Sequence, residues 1–269
     1  MATVSDLIFY PVKGCAGTPI TRAQVLRTGV LHDRTFMFVR ASDGVFRSQR
    51  STPKLSVIRP ELTEEADKLT LTAPDVQSLA LNVREEAERL TVEIHGIWRG
   101  EAVDQGDEAA EWASALVGEP LRLVRVAPDH ERVVDDWHGA ITFTDSTALH
   151  LTSLSSLDDL NARILEKGAE PVPMARFRPN IVIKDWEMPY TEDGIRDFAI
   201  GSAGLRWVKP DVRCKVTMVD QLTGKPAGPE PIRTLADYRR EPDGGVSFGI
   251  KVAVVGPGEI HLGDELTVL

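Results

Sequence analysis

Residues 207–220 read WVKPDVRCKVTMVD, a stretch with the β-branched, alternating apolar character of a strand. Similar character occurs on both sides of it, in FRPNIVIKD at 177–185, DFAIGSAGLRWVK at 197–209, VSFGIKVAVV at 246–255 and DELTVL at 264–269. The C-terminal half is therefore predicted to be built mainly from strands.

Cys214 stands in this stretch between Arg213 and Lys215. Nearby positive charge favours the thiolate form of cysteine, which attacks electrophiles and binds metals. Alternate residues of a strand face opposite sides, however, so the two cations would share one face while the thiol points into the core. Free cysteine is among the most buried residue types. Spacing alone favours a buried core position for the Cys214 thiol. The alternative, a metal-binding thiolate, stays open.

Short strands separated by glycines and prolines fill the first hundred residues. The predicted strands cover 6–12, 20–26, 35–40, 45–50, 69–72, 79–83 and 90–94, the last continuing past Gly96. Regular short spacing of this kind predicts a barrel or a sandwich.

Three segments are predicted to be helices. The run DEAAEWASALVG at 107–118 has apolar residues at helical spacing, acidic residues in its first turn and Gly118 at its end. Residues 152–167 form an amphipathic pattern with serine and threonine capping candidates in front, and 231–239 form a further short helix. The predicted class is mainly β with a few helices.

The length of 269 residues exceeds that of a usual single domain, so two domains are expected. The boundary is predicted near Glu119 and Pro120, which divides the chain into 1–119 and 120–269. We find no internal repeat or low-complexity tract.

The formal net charge of -10 argues against a nucleic-acid or anionic-membrane partner, because both require a broad positive patch. Any anion site must therefore be local. The sequence shows neither a signal peptide nor an apolar run long enough to cross a bilayer, and a cytoplasmic location is expected. The two cysteines form neither a disulfide framework nor a zinc motif.

A glycine-rich turn carries the first candidate anion contact. In YPVKGCAG at 10–17, Lys13 precedes Gly14, so an ammonium and exposed amides could meet an anion. The segment lacks the spacing of a nucleotide P-loop, and a loop lysine is more often solvated. The segments HDR at 32–34 and RSQR at 47–50 are, taken separately, also explained by ordinary surface charges.

Two further motifs lie in the second half. In FRPN at 177–180, the proline biases Arg178 towards an extended conformation, and arginine suits bidentate phosphate contact. The run TDST at 144–147 offers hydroxyl and carboxylate groups, although a turn or cap would explain it equally. Neither GxSxG nor HExxH occurs, so ordinary hydrolase chemistry gains no support.

Taken in order, these segments resemble one known family over nearly the whole chain. The motifs are YPVKGCAG, GVLHDR, FRSQRSTPKL, TDST, FRPNIVI and VRCKVTMVDQLTG. They are similar to those of the MOSC proteins that carry a MOSC N-terminal β-barrel domain, among them the mitochondrial amidoxime-reducing components and their bacterial counterparts. The resemblance implies an N-terminal β-barrel-like domain followed by a MOSC β-barrel domain.

The resemblance also implies a molybdenum cofactor, Mo-molybdopterin, whose metal takes one cysteine of the protein as a ligand. Cys214 matches that cysteine, as metal ligand and catalytic residue, and Asp145 is placed beside it. The matching cofactor contacts are Lys13, Gly14, Arg34, Ser146, Thr147, Arg178, Asn180 and Arg213. Cys15, despite its position next to the Lys13 turn, is expected to be structural. Pyridoxal phosphate binding is a further property implied by the family.

Gly14 replaces the serine that the family often has after the lysine, which removes a hydroxyl but keeps a backbone amide. The N-terminal targeting segment of mitochondrial members and the ferredoxin-like domain of some bacterial members have no counterpart in the sequence. Electrons are therefore expected from a separate flavin or iron-sulfur protein.

The resemblance implies an oxidoreductase that removes oxygen from N-hydroxylated substrates such as amidoximes, hydroxylamines or N-hydroxylated bases. Two alternatives stay open. One is a cofactor-binding or carrier protein without turnover, and the other is a sulfur carrier that holds a persulfide on Cys214.

Overall fold

The computed structural model describes residues 1–269, which form nineteen strands, three α-helices and four short 3-10 turns. The strands are β1 (Thr3–Phe9), β2 (Val12–Lys13), β3 (Thr18–Ile20), β4 (Arg22–Leu26), β5 (Gly29–Val30), β6 (Phe36–Arg40), β7 (Arg59–Leu62), β8 (Lys68–Thr72), β9 (Leu79–Asn82), β10 (Arg89–Ile94), β11 (Trp98–Asp104), β12 (Leu121–Val126), β13 (Leu149–Ser153), β14 (Ile181–Lys184), β15 (Asp197–Ile200), β16 (Ala203–Arg213), β17 (Val246–Gly256), β18 (Gly258–His261) and β19 (Leu266–Val268). The helices are α1 (Asp107–Val117), α2 (Leu154–Glu166) and α3 (Ile232–Leu235). The predicted class, mainly β with a few helices, is confirmed.

The strands form one large sheet and three smaller ones. The large sheet has the order β19-β15-β16-β17-β13-β14-β1-β3, and a five-stranded sheet has the order β10-β11-β12-β6-β2. Two three-stranded sheets contain β18-β4-β5 and β7-β8-β9. No sheet closes into a barrel. Near the β19 end of the large sheet, the start of β1 makes an isolated bridge, Thr3 to Glu265, and a few backbone hydrogen bonds to 263–266, but the two strands form no ladder.

The sheets do not divide at residue 119. Strand β1 pairs with β14 of the C-terminal half, with Leu7 opposite Ile181. Strand β12 lies after the predicted boundary, yet it pairs with β6, with Leu123 opposite Phe38. The two halves are therefore joined by strand pairing in both directions, and the domain limits of 1–119 and 120–269 stay a prediction.

Two large apolar cores each draw residues from both halves of the chain, and the smaller of the two, formed mostly by the first half, is called the N-terminal core below. Inward-facing residues of β1, β13 to β17 and β19 form the larger core, and β6, β8, β12 and α1 surround the second. Under α2, the rings of Phe177 and Phe248 stack with centroids 3.9 Å apart, and both are fully buried. Burying a phenylalanine contributes about 2 to 3 kcal/mol, so this pair firmly anchors the segment that precedes Arg178.

The predicted helices form where expected. Helix α1 ends at Gly118, whose φ of 86° is the left-handed conformation typical of a helix cap. Helix α2 begins after Ser153, whose side chain accepts a hydrogen bond from the backbone N–H of Ser156. The third helix, α3, is shorter than the predicted 231–239 and covers only 232–235. The longest helix has 13 residues, fewer than the roughly 20 needed to cross a bilayer, and no helix qualifies as a membrane span.

Two strand predictions are wrong in part. The strand at 207–220 ends at Arg213, because the Cys214 carbonyl accepts hydrogen bonds from Thr217 N and Oγ1 and the chain turns into a 3-10 helix. The segment 45–50 makes only isolated bridges at Val45 and Phe46. It then turns at Ser48, whose carbonyl accepts from the amides of residues 51 and 52.

The other predicted strands of the first hundred residues are present, with ends shifted by a few residues. The run 20–26 is split, since β3 ends at Ile20 and β4 starts at Arg22. The hairpin of β10 and β11 turns at His95 and Gly96, which both have positive φ. Short strands such as β5 and β18 were not predicted, because two to four residues give too little periodicity to recognise.

Candidate active site

A cavity of about 240 Å³ opens between the two halves of the chain. All ten residues singled out in the sequence line it, and none of them lies elsewhere: Lys13, Gly14, Arg34, Asp145, Ser146, Thr147, Arg178, Asn180, Arg213 and Cys214. They come from five segments that are separated by up to 200 residues along the chain.

The lining of the cavity is strongly cationic. Six lysines and arginines face two carboxylates; the cations are Lys13, Arg34, Arg50, Arg178, Arg213 and Lys251, and the acids are Asp145 and Asp211. The chain as a whole carries a formal charge of -10, so the positive charge is concentrated at this place. Such a cavity attracts a small anion rather than a polyanion.

Lys13 and Asp145 form an ion pair on one wall. Lys13 Nζ lies 2.5 Å from Asp145 Oδ1, and 4.9 Å from the centroid of the Phe46 ring. Burial lowers the pKa of Lys13, and the Asp145 carboxylate opposes that shift. Desolvation would raise the pKa of Asp145, but the Lys13 ammonium and then Lys251 hold it well below its usual range. Asp145 is therefore a carboxylate at neutral pH, and it favours the charged form of Lys13.

Arg34 is held from two sides. Its Nη1 donates to the buried Asp33 carboxylate and, at 3.1 Å, to Asn180 Oδ1. Asn180 is itself buried, and its amide donates to the Ile8 carbonyl of β1 at 3.1 Å. Arg34 has a φ of 51°, a left-handed conformation that is uncommon for a non-glycine residue and is typical of functional positions.

Arg178 also lines the cavity and, like Arg34, has a left-handed backbone conformation. Its φ is 57°, not the extended conformation that the following proline predicted. Its Nη1 donates to Gln221 Oε1 at 3.4 Å. Burial lowers the pKa of Arg178, while the nearby Tyr10 opposes the shift and the nearby Arg34 adds to it. An anion in the cavity would relieve this repulsion.

Cys214 lies at the turn after β16 and is partly exposed on the cavity wall. The neighbouring Arg213 is anchored by the Asp211 carboxylate and donates to the Phe177 carbonyl at 2.8 Å. The core position that strand alternation favoured is therefore wrong, because the strand ends one residue earlier. Cys15, in contrast, is fully buried in the N-terminal core, and burial raises the pKa of its thiol.

The hydroxyl groups of the 144–147 turn differ in their contacts. Ser146 Oγ accepts from Lys251 Nζ at 2.8 Å, and Thr147 Oγ1 has a long 3.5 Å contact to the Leu149 carbonyl. Thr144 Oγ1 is buried with no hydrogen-bond partner, as is Arg213 Nε. Both residues line the cavity, and buried polar atoms without partners are rare in folded proteins.

Two models of known protein families each match one part of this chain. The model of the MOSC N-terminal beta barrel domain matches residues 1–120, and that of the MOSC domain matches residues 138–267. The mitochondrial amidoxime-reducing component 1 of Homo sapiens is 34% identical over 291 aligned positions, which cover 100% of this chain and 83% of that protein.

The chain belongs to the family of MOSC proteins with a MOSC N-terminal domain. The molybdenum cofactor sulfurase of Oryza sativa subsp. japonica is 30% identical over 92% of this chain but only 32% of its own length. The crystal structure of the YUAD protein from Bacillus subtilis is 10% identical with a TM-score of 0.41, covering 98% of this chain and 93% of that one. Membership of the family relates the function of this MOSC protein to the molybdenum cofactor.

The donor set of this MOSC protein fits such a cofactor. No three histidine, cysteine or acidic side chains come together as a metal site, so a metal here would have to bring most of its own ligands. One accessible thiol, a ring of cations and two buried polar atoms without partners suit a group that carries its metal on sulfur and ends in a phosphate.

Two cavity residues of this MOSC protein, Gln49 and Lys251, were not singled out in the sequence, and neither was Gln221, which pairs with Gln49. Gln49 and Gln221 form a reciprocal amide pair, 3.1 and 2.9 Å, that joins the two halves of the chain. Gln49 also donates to the Gly14 carbonyl at 2.7 Å. Lys251 could have been noticed as the single charge inside the apolar run VSFGIKVAVV. The glutamines carry no local signal, because their pairing spans 172 residues.

Two histidines also line the cavity. Arg50 Nη2 lies 3.2 Å from His95 Nε2, and because arginine can only donate, His95 accepts there and is neutral. His150 Nε2 lies 3.3 Å from the Phe248 carbonyl and 3.5 Å from Asp211 Oδ2, so this nitrogen carries a proton. Burial lowers the pKa of His150 to about 4. Neither histidine is positively charged at neutral pH.

Proposed function

We propose that this chain binds Mo-molybdopterin in the cavity and reduces N-hydroxylated substrates, such as amidoximes, hydroxylamines and N-hydroxylated bases. A separate flavin or iron-sulfur protein supplies the electrons. The observation that carries the proposal is that one cavity combines the accessible thiol of Cys214 with the cations Lys13, Arg34 and Arg178.

In this proposal, the cations bind the phosphate of the cofactor, and Asn180 orients Arg34 towards it through a 3.1 Å hydrogen bond. Gly14, Ser146 and Thr147 line the same cavity, and the amide of Gly14 and the two hydroxyls would supply additional hydrogen-bonding groups. Cys214 holds the metal through its thiolate. When bound, the cofactor supplies two-electron chemistry that abstracts an oxygen atom.

The overall reaction balances with two electrons and two protons for each substrate. The N–O bond breaks, the nitrogen product is released and the oxygen leaves as water. Asp145 is a poor proton donor, because its ion pair with Lys13 holds it as a carboxylate. Its side chain remains 46% exposed, so we assign it the role of accepting a hydrogen bond from the N–H or O–H of the substrate.

Metal analysis tests this proposal directly. The wild type, Cys214→Ala and Cys15→Ala are produced in a host that makes molybdopterin, and molybdenum is measured in each. We expect the metal in the wild type and in Cys15→Ala, and its loss from Cys214→Ala. Absence of molybdenum from the wild type, or an equal amount in Cys214→Ala, would contradict the proposal.

A sulfur carrier is the second candidate, favoured by the similarity to a molybdenum cofactor sulfurase. The partly exposed thiol of Cys214 would then hold a persulfide. Intact-mass measurement separates the two candidates: one additional sulfur on Cys214 without molybdenum supports the sulfur carrier.

A cofactor carrier without turnover is a third candidate. It would be supported by a loaded protein that binds molybdenum but does not reduce an amidoxime with a chemical reductant.

The cytoplasmic location, the absence of nucleic-acid and membrane partners, and pyridoxal phosphate binding stay predictions from the sequence. The domain limits stay predictions as well.

A further inference from the structure

Tyr10 lies behind the cavity wall and contacts both arginines of the anion site. The ring is buried, and the guanidinium carbons of Arg34 and Arg178 lie 4.6 and 4.5 Å from its centroid. Tyr10 does not itself line the cavity. Any effect it has on a bound ligand must therefore act through these two side chains.

The backbone around Tyr10 is tied to the same two segments. Its N–H donates to Asp33 Oδ1 at 2.7 Å, and its carbonyl accepts from Arg34 N at 2.6 Å. Its hydroxyl donates to the Pro179 carbonyl at 3.1 Å. One residue thus fixes the positions of two segments that lie 144 residues apart.

The two positively charged guanidiniums of Arg34 and Arg178 share the Tyr10 ring, so attractive contacts must offset their repulsion. Each guanidinium is attracted by the negative face of the tyrosine ring, but the two repel each other, and both backbones have an unfavourable positive φ. Arg34 finds a carboxylate partner in Asp33, whereas the hydrogen bond of Arg178 to a side chain is to the neutral Gln221. Both arginines line the cavity, so a dianionic group bound there would offset this repulsion.

We propose that Tyr10 is a positioning residue that holds Arg34 and Arg178 on its ring as a two-armed clamp for a phosphate-class anion. The proposal rests on the anion-binding role of the cavity given above. It adds that the π face of Tyr10, rather than its hydroxyl, determines the anion affinity, since the hydroxyl is already engaged by Pro179.

The clamp is tested with inorganic phosphate on the full chain, produced in a host that does not make molybdopterin. Calorimetric titration gives the Kd of the wild type, Tyr10→Phe and Tyr10→Leu. We expect Tyr10→Phe to bind within about twofold of the wild type and Tyr10→Leu to bind about tenfold more weakly, because only the latter removes the ring. The matched control is Phe38→Leu, a buried aromatic outside the cavity, which should leave the Kd unchanged.

A double-mutant cycle separates positioning from mere stability. In an Arg178→Gln background, Tyr10→Leu should weaken binding less than in the wild type, since one arm of the clamp is already missing. If Tyr10→Leu does not fold, pentafluorophenylalanine at position 10 keeps the ring shape and reverses its electrostatics, and it should weaken phosphate binding likewise.

Wild-type affinity in folded Tyr10→Leu, or equal losses in Tyr10→Phe and Tyr10→Leu, would overturn the role of the ring. A wild type that does not bind phosphate would overturn the clamp itself. These results do not depend on molybdenum or turnover, so they are distinguishable from failure of Cys214 to bind a metal.

Discussion

Lys13 Nζ and Asp145 Oδ1 are 2.5 Å apart on one wall of the cavity, although 132 residues separate them in the chain. Their exposure differs: the side chain of Lys13 is 8% exposed and that of Asp145 is 46% exposed. The pair therefore joins a buried cation to a partly hydrated anion. Removing Asp145 and removing Lys13 should consequently lower the free energy of unfolding by different amounts.

Asp145→Asn should destabilise the protein by about 2 kcal/mol, because it leaves the buried Lys13 ammonium without its counter-charge. Lys13→Met should cost less, since water can hydrate the Asp145 carboxylate that remains. Urea unfolding measures both values. The exposed pair Arg89–Asp129 provides the control, where Asp129→Asn should change stability much less than Asp145→Asn. A larger loss in Lys13→Met than in Asp145→Asn would contradict the asymmetry.

A thiol reagent should titrate one fast cysteine in the folded protein. Cys214 is partly exposed at the cavity, whereas Cys15 is fully buried with a raised pKa. Cys15→Ala should keep the fast reaction and Cys214→Ala should lose it, and unfolding in guanidinium should expose both thiols of the wild type. Two fast thiols in the native protein would show that the N-terminal core opens readily.

His150 should make stability depend on pH between about 4 and 6.5. Its pKa is about 4 in the folded protein and about 6.5 in the unfolded chain. The unfolded chain therefore binds more protons in this window, and stability falls as pH decreases, by up to about 3 kcal/mol. Asp211, Arg213 and Lys251 surround the imidazole, and burial is the main cause of the shift.

The measurement is the free energy of unfolding of the wild type and His150→Asn at several pH values. The variant should show a flatter slope from pH 6.5 to 4. Burial also lowers the pKa values of His32, His95 and His130, so part of the slope should remain. The lowered pKa values of Asp145 and Asp211 act mainly below about pH 4, at the acid end of this window. Equal slopes in the two proteins would exclude His150 as the cause.

Gly249 should be far less tolerant of alanine than Gly244. Both have positive φ, 71° and 96°. A Cβ at Gly249 would lie 2.5 Å from His150 Nε2 and 2.6 Å from the Leu151 carbonyl oxygen, whereas a Cβ at Gly244 would meet nothing within 4 Å.

Gly244→Ala should therefore cost about 1 kcal/mol from backbone strain, and Gly249→Ala about 3 kcal/mol or more because β13 and His150 must also move. Thermal unfolding of the two variants compares them under the same conditions. Similar melting temperatures would show that the strand pair of β13 and β17 adapts without strain.

Local patterns predicted most of the secondary structure. Helix α1 was recognisable from its apolar spacing and Gly118, and α2 from its serine cap, because these signals depend on neighbours within a turn or two. The strand around Cys214 was extended too far, because apolar alternation did not reveal that Thr217 would bond back to the Cys214 carbonyl. The conformation of Arg178 was missed since the proline preference was overridden by packing on Tyr10.

The sequence by itself determined the strand-rich class, the concentration of cationic motifs in an acidic chain and, through family resemblance, ten residues of the cavity. Only the tertiary structure decided that β1 joins the C-terminal sheet, which brings Tyr10 and Lys13 against Arg178 and Asp145. It also decided the Gln49–Gln221 pair and the exposure of Cys214. The physical reason is that strand pairing and burial depend on surfaces more than a hundred residues apart, whereas propensity and periodicity act only over neighbouring residues.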